Sequence, residues 1–290
     1  ILQRVDWHVV RRLDGLLQGD YRSLFRGSGI DLASLREYQP GDDVRSIDWN
    51  VTARMDAPYV REYVEDREIT AWFLLDLSPS VDFGTTDPER DKRNVLIDFV
   101  TTLARVLTRR GNRIGAILYG DRVERTLPAR GGRLAVLRLV RDLLDQPRLA
   151  GTPLTDLRPL LETAQRTIRR RSVVVIVSDF ISQPGWERPL GLLNRRHEVL
   201  AVRVLDPREV ELPDVGPIVL RDAETGETLY VDTHDAGLRR RFRDAADARE
   251  AGIRRAFATA RVDAVTLSTD DDVVRAIVRM AHLRKRRGRV

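Results

Sequence analysis

From residue 69 onward, short apolar runs alternate with longer amphipathic stretches. Ile69-Thr70-Ala71-Trp72-Phe73-Leu74-Leu75 and Ser172-Val173-Val174-Val175-Ile176-Val177 show no clean apolar/polar alternation, so each reads as a strand buried on both faces. Arg113–Tyr119 reads as a further strand, with Arg122–Leu127 as its hairpin partner across Gly120-Asp121. Strands are also expected at 198–205 and 262–267. The intervening periodicity predicts helices at about 88–110, 133–145, 155–170, 186–195, 235–260 and 271–284. Pro88 suits a first helical turn and Gly111 a helix stop. Such alternation implies right-handed crossovers and an α/β fold with a mostly parallel sheet.

Two regions depart from this rhythm. Residues 4–18 form a short apolar-periodic stretch that predicts a helix, and 19–64 are rich in Gly, Asp and Arg with short strand-like pieces. Pro207 to Pro217 breaks the pattern, and 218–232 read as a hairpin around Glu224-Thr225-Gly226-Glu227. The expected organisation is therefore an N-terminal helix and small β-rich segment over 1–64. An α/β domain follows over 65–290, carrying a hairpin insertion at about 207–234. A chain of 290 residues is long enough for one large α/β domain with a small appendage.

The composition narrows the chemistry. With no cysteine, disulfides and thiolate chemistry are excluded. No apolar run approaches the ~20 residues that span a bilayer, so no membrane span and a cytoplasmic location are expected. The net charge of +6 is carried almost wholly by arginine, since Lys92 and Lys285 are the only lysines. The basic tail Arg284-Lys285-Arg286-Arg287-Gly288-Arg289 reads as a solvated end. It has no interleaved aromatics, and no nucleic-acid-binding signature occurs elsewhere, so nucleic acid is not an expected partner.

The candidate chemistry starts at Asp76-Leu77-Ser78-Pro79-Ser80, directly after the first buried strand. A parallel strand delivers its next residues to the carboxyl edge of the sheet, where open α/β folds hold ligands. Asp, Ser and Ser at alternate positions offer three hard oxygens, which suit Mg²⁺ or Mn²⁺ and match zinc poorly. The same residues can instead cap a helix or form Asx and Ser turns. Two further loops, Gly151-Thr152-Pro153-Leu154-Thr155-Asp156-Leu157 and Ser178-Asp179-Phe180, can converge on the first in a parallel sheet.

Taken in order and context, Asp76, Ser78, Ser80, Thr155 and Asp179 resemble the metal-ion-dependent adhesion site of the von Willebrand factor type A fold. The resemblance implies that the two Ser hydroxyls bind the ion directly. Thr binds it directly or through water, the Asp residues act mostly through water, and water or a partner's carboxylate completes the shell. Thr152 competes for the threonine place. Thr155 is preferred because Thr-Asp-Leu opens the predicted helix.

Upstream, the segment from Glu37 to Arg54 contains Tyr38-Gln39-Pro40-Gly41-Asp42-Asp43-Val44-Arg45-Ser46-Ile47-Asp48-Trp49. It resembles the Y-x-P-G-D-D-x-R-x-I-D-W signature of the bacterial "domain of unknown function 58" proteins, and Pro58-Tyr59-Val60-Arg61-Glu62 fits as well. The resemblance covers about residues 20 to 290. It implies a von Willebrand factor type A-like, doubly wound, mostly parallel sheet with helices on both faces, preceded by a small β-rich lead-in and carrying an inserted hairpin. It implies one Mg²⁺ or Mn²⁺ ion and a non-enzymatic protein-interaction module. The implied partners are a MoxR-type AAA+ ATPase, with which such proteins act as adaptors in assembling or activating other proteins, and an acidic residue of a client that completes the metal site.

Within the signature, Pro40-Gly41 suits the centre of a type II turn. Asp42 and Asp43 can bond that turn or pair with Arg45. Trp49, with Ile47, is expected as a core anchor, and Asp48 as a buried partner for Arg45 or Arg54. A partner-docking surface is the functional alternative for this segment.

An enzymatic reading remains as the alternative: a Mg²⁺-dependent phosphatase using Asp76 as nucleophile. Haloacid-dehalogenase-like phosphatases need a second Asp two residues on, where this chain has Ser78. There is no G-x-S-x-G, G-x-x-x-x-G-K-[ST] or H-E-x-x-H motif, and His8, His197, His234 and His282 lie in no ligand or triad spacing. A third reading keeps the fold and leaves the site without an ion.

Overall fold

The computed structural model describes residues 30–55, 57–65, 68–84, 90–149, 154–222 and 225–287. These fall into two compact units, one ending at Ile69 and one running from Thr70. The predicted helix at 4–18 and the candidate Thr152 lie outside the described residues.

In the first unit, β1 (Ile30–Glu37) pairs antiparallel with β2 (Tyr59–Glu65). The signature segment lies between them. Gly41 has φ +112°, and the Asp42 N–H donates to the Gln39 carbonyl at 3.0 Å, which makes Gln39–Asp42 the expected type II turn. Asp42 pairs with Arg36 rather than Arg45, through two contacts of 2.7 and 2.8 Å. Its carboxylate also accepts the Gln39 N–H. A one-turn helix, α1 (Trp49–Thr52), follows. Buried Asp48 caps it, accepting the N–H groups of Asn50 and Val51 at 3.0 and 3.3 Å. Trp49 is 69% exposed, so it is not the core anchor that its residue type suggests. The capping carboxylate takes the inward place, and the next position projects outward.

The second unit is built on a six-stranded sheet in the order β10-β7-β6-β3-β4-β5. Along the chain its strands are β3 (Thr70–Asp76), β4 (Arg113–Tyr119), β5 (Val123–Gly131), β6 (Val173–Ser178), β7 (Glu198–Leu205) and, last, β10 (Asp263–Ser268). All pairings are parallel except β4 with β5, the hairpin at one edge. The helices are α2 (Lys92–Arg109), α3 (Gly132–Leu144), α4 (Arg158–Thr167), α5 (Glu187–Arg196), α6 (Ala236–Ala260) and α7 (Val273–Arg287). β8 (Pro217–Arg221) and β9 (Thr228–Asp232) form a separate antiparallel hairpin.

β3 sits between β4 and β6, which explains its unbroken apolar sequence. Trp72 and Leu74 join one core cluster with Leu160, Leu161 and Ala164 of α4, Leu190 and Leu193 of α5, and Ile253 and Phe257 of α6. Ala71, Phe73 and Leu75, on the alternate positions, are fully buried as well. Trp72 lies opposite Gly115 of β4. A Cβ on Gly115 would come 2.8 Å from the indole, so the missing side chain makes the place for the ring.

Two helix starts differ from expectation. α2 begins at Lys92, where Asp91 caps it by accepting the Asn94 N–H at 2.7 Å, and Pro88 lies outside the described residues. α4 begins at Arg158, so Thr155 and Asp156 lie in the preceding loop. There the Asp156 carboxylate accepts the Arg158 N–H at 3.0 Å. Among the described residues no helix is long and apolar enough to cross a membrane.

Candidate metal centre

β3 ends at Asp76, and β6 beside it ends at Ser178. Parallel pairing therefore brings the Asp76–Ser80 loop and the Ser178–Asp179 loop to one edge of the sheet. Asp76, Ser78, Ser178 and Asp179 are buried to 1% exposure or less, and Ser80 to 8%.

The Asp76 carboxylate is held at both oxygens. Oδ1 accepts the Ser78 N–H at 3.0 Å, and Oδ2 accepts the Ser178 hydroxyl at 2.6 Å. Ser178 in turn accepts the Phe180 N–H at 2.8 Å. Burial, and then the neighbouring Asp179 charge, push the Asp76 pKa up to about 6. The bonds from Ser178 and Ser78 offset only part of this.

Ser78 precedes a 3₁₀ turn, Pro79–Asp82, but its hydroxyl caps nothing there. It shares a hydrogen bond of 3.2 Å with the Ser80 hydroxyl instead. Adjacent oxygens of an octahedral Mg²⁺ shell, at about 2.1 Å from the ion, stand roughly 3.0 Å apart. The two hydroxyls beside a buried carboxylate thus fit a small, hard divalent cation. Among the described residues, no three His, Cys, Asp or Glu side chains gather in a metal-holding group. The site's donors are two carboxylates and hydroxyls.

Thr155 is buried, and its carbonyl accepts the Gln183 N–H at 2.8 Å. The next carbonyl, of Asp156, accepts the Tyr119 hydroxyl at 2.6 Å. Burial, then the charge of Asp76, raise the Tyr119 phenol to about 12, so it stays a donor at neutral pH. Tyr119 ends β4, and the Thr155 loop is thereby fastened to the same edge of the sheet as Asp76 and Asp179.

Phe180, after Asp179, has φ +56°, a strained conformation for a side chain of this size. Its ring is clamped by Trp186 at 5.4 Å and Phe257 at 4.8 Å between centroids, which holds the turn that follows Asp179.

The sequence reading missed three residues at this centre. Ser178 orients Asp76. Lys92, fully buried, places its ammonium 2.8 Å from Asp179 Oδ2 and 2.6 Å from Glu209 Oε1. Burial works against that ammonium, but the two carboxylates outweigh it and hold its pKa above the ordinary value. Glu209 comes from the turn after β7, far away in sequence. The available signal was compositional, since Lys92 is one of two lysines in an arginine-rich chain.

Sheet order and loop chemistry together define an α/β protein with an oxygen-rich site at the carboxyl edge of a six-stranded, mostly parallel sheet. The chain belongs to the family described as protein of unknown function DUF58, whose model matches residues 34–252. It is 39% identical over 285 residues to uncharacterized protein Rv1480 of Mycobacterium tuberculosis, spanning 98% of this chain and 89% of that protein. Uncharacterized protein MAV169 of Mycobacterium avium is 44% identical over 160 residues, which cover 55% of this chain and 94% of that protein. Among solved structures, BatB from Bacteroides thetaiotaomicron aligns with a TM-score of 0.49 at 13% identity, covering 75% of this chain and 99% of that one.

Proposed function

We propose that this protein is a metal-dependent protein-interaction module of von Willebrand factor type A-like, doubly wound architecture with helices on both faces of the sheet. In this reading Ser78 and Ser80 hold one Mg²⁺ or Mn²⁺ through their hydroxyls. Asp76, Asp179 and Thr155 complete the protein's share, directly or through water. The ion supplies a Lewis-acidic position open to an acidic side chain of another protein. The observation that carries the reading is the buried pair of hydroxyls 3.2 Å apart beside the buried Asp76 carboxylate. Family resemblance adds the partner class, a MoxR-type AAA+ ATPase in the cytoplasm, with the protein acting as adaptor in assembly or activation of clients.

Ser78, standing where a haloacid-dehalogenase-like phosphatase needs its second Asp as acid and base, favours this reading over a phosphatase with Asp76 as nucleophile. Two assays separate the readings. Pull-down from a lysate of a DUF58-containing bacterium, with Mg²⁺ or with chelator, is expected to recover an AAA+ ATPase only with Mg²⁺ and not with Ser78→Ala. Turnover of an aryl phosphate that is lost in Asp76→Asn would instead establish the enzyme.

A further inference from the structure

We infer that Lys92 sets how tightly the centre holds its divalent ion; the inference rests on the metal reading above. Three features mark this side chain as placed for a purpose. Apart from Lys285 it is the chain's single lysine among 50 basic residues. It is the first residue of α2, where the positive end of the helix dipole disfavours a cation. It is also fully buried, where a charge is costly unless paired.

Both carboxylates that cage it are tied by further hydrogen bonds. Asp179 Oδ2 and Glu209 Oε1 accept from the ammonium, and the Phe83 ring lies 5.7 Å away. The Glu209 side chain is held by its Oε2, which accepts the Asp206 N–H at 3.1 Å, and its backbone by a carbonyl that accepts from Arg249 at 2.9 Å. The other oxygen of Asp179 accepts the Ile181 N–H at 3.0 Å. A compact ammonium with three donors suits a place between carboxylates from two separate elements, where a planar guanidinium fork does not.

The electrostatic consequence is direct. Lys92 offsets one unit of the negative charge carried by Asp179 and Glu209. A divalent ion held by the Asp76 and Asp179 loops is then left with less surplus negative charge around it to repel a partner's carboxylate. The cost is a weaker hold on the ion, since a fixed positive charge bonded to one of its candidate ligands opposes binding.

The test is calorimetric titration of Mn²⁺ into the metal-stripped full chain at fixed pH and ionic strength, with wild type, Lys92→Met and Glu209→Gln compared. The expected result has opposite signs: at least tenfold tighter binding in Lys92→Met and at least threefold weaker binding in Glu209→Gln. A purely structural role would weaken binding in both. Equal or weaker binding in a folded Lys92→Met overturns the inference. Should that variant fail to fold by circular dichroism, unchanged or tighter binding in Glu209→Gln overturns it instead. Absence of binding in wild type and in Lys92→Met alike overturns the metal reading and this inference with it, whereas equal affinities in the two overturn the inference alone.

Discussion

The Lys92 ammonium and the Asp179 carboxylate meet at 2.8 Å with both side chains fully buried. Removing one partner of such a pair strands the other in a dry interior. Asp179→Ala is therefore expected to lower the unfolding free energy by about 3–5 kcal/mol. The exposed pair of Arg141 and Asp145, at 4.0 Å, is the control: Asp145→Ala should stay within about 1 kcal/mol of wild type. Urea unfolding of the three proteins measures both. A loss below 1 kcal/mol for Asp179→Ala would mean that Glu209 and water suffice for the ammonium.

The raised Asp76 pKa gives the metal-free protein a defined pH dependence. Its folded value, about 6, lies above the ordinary aspartate value of 3.8. The native state therefore binds a proton more readily than the unfolded chain. Asp76's contribution to stability is fully present below about pH 4 and is lost as pH rises through about 6. Two pKa units correspond to about 3 kcal/mol between pH 7.5 and pH 4. Chelator-treated wild type, relative to Asp76→Asn, should gain that amount on acidification. A difference between the two that is flat with pH contradicts the assignment.

Trp72 and Gly115 give a packing prediction. A methyl group at position 115 would stand 2.8 Å from the indole, and the ring is held among core residues. Gly115→Ala should cost about 1–3 kcal/mol. Trp72→Leu should relieve part of that cost, so the double mutant is less destabilised than the sum of the singles. Additive losses would show that the clash is absorbed elsewhere.

Trp49 separates two views of the signature segment. Being 69% exposed, it should tolerate Trp49→Ala within about 0.5 kcal/mol in urea unfolding. A loss above 2 kcal/mol would restore the core-anchor reading.

These cases show what the sequence made legible. Unbroken apolar runs identified β3 and β6 because strands buried on both faces have no polar alternation to display. The loop oxygens of Asp76 and Ser78 were legible because a parallel strand delivers them to a known edge. The fold's inner contacts were not. Lys92 meets Glu209 across 117 residues, and only the tertiary path joins them. Trp49 misled because aromatic character predicts burial on average, whereas here the neighbouring Asp48 takes the inward position as a cap. Thr155 and Asp156 look like helix-opening residues, yet α4 starts at Arg158 because the Asp156 carboxylate closes a turn ahead of it.

Whether the Asp76 and Ser78 loop holds a divalent ion is read by calorimetric titration of Mg²⁺ and Mn²⁺ into metal-stripped wild type and into the double variant Asp76→Ala with Ser78→Ala. One site is expected in wild type and none in the variant. Binding of equal strength in both, or no binding in wild type, would contradict the metal reading.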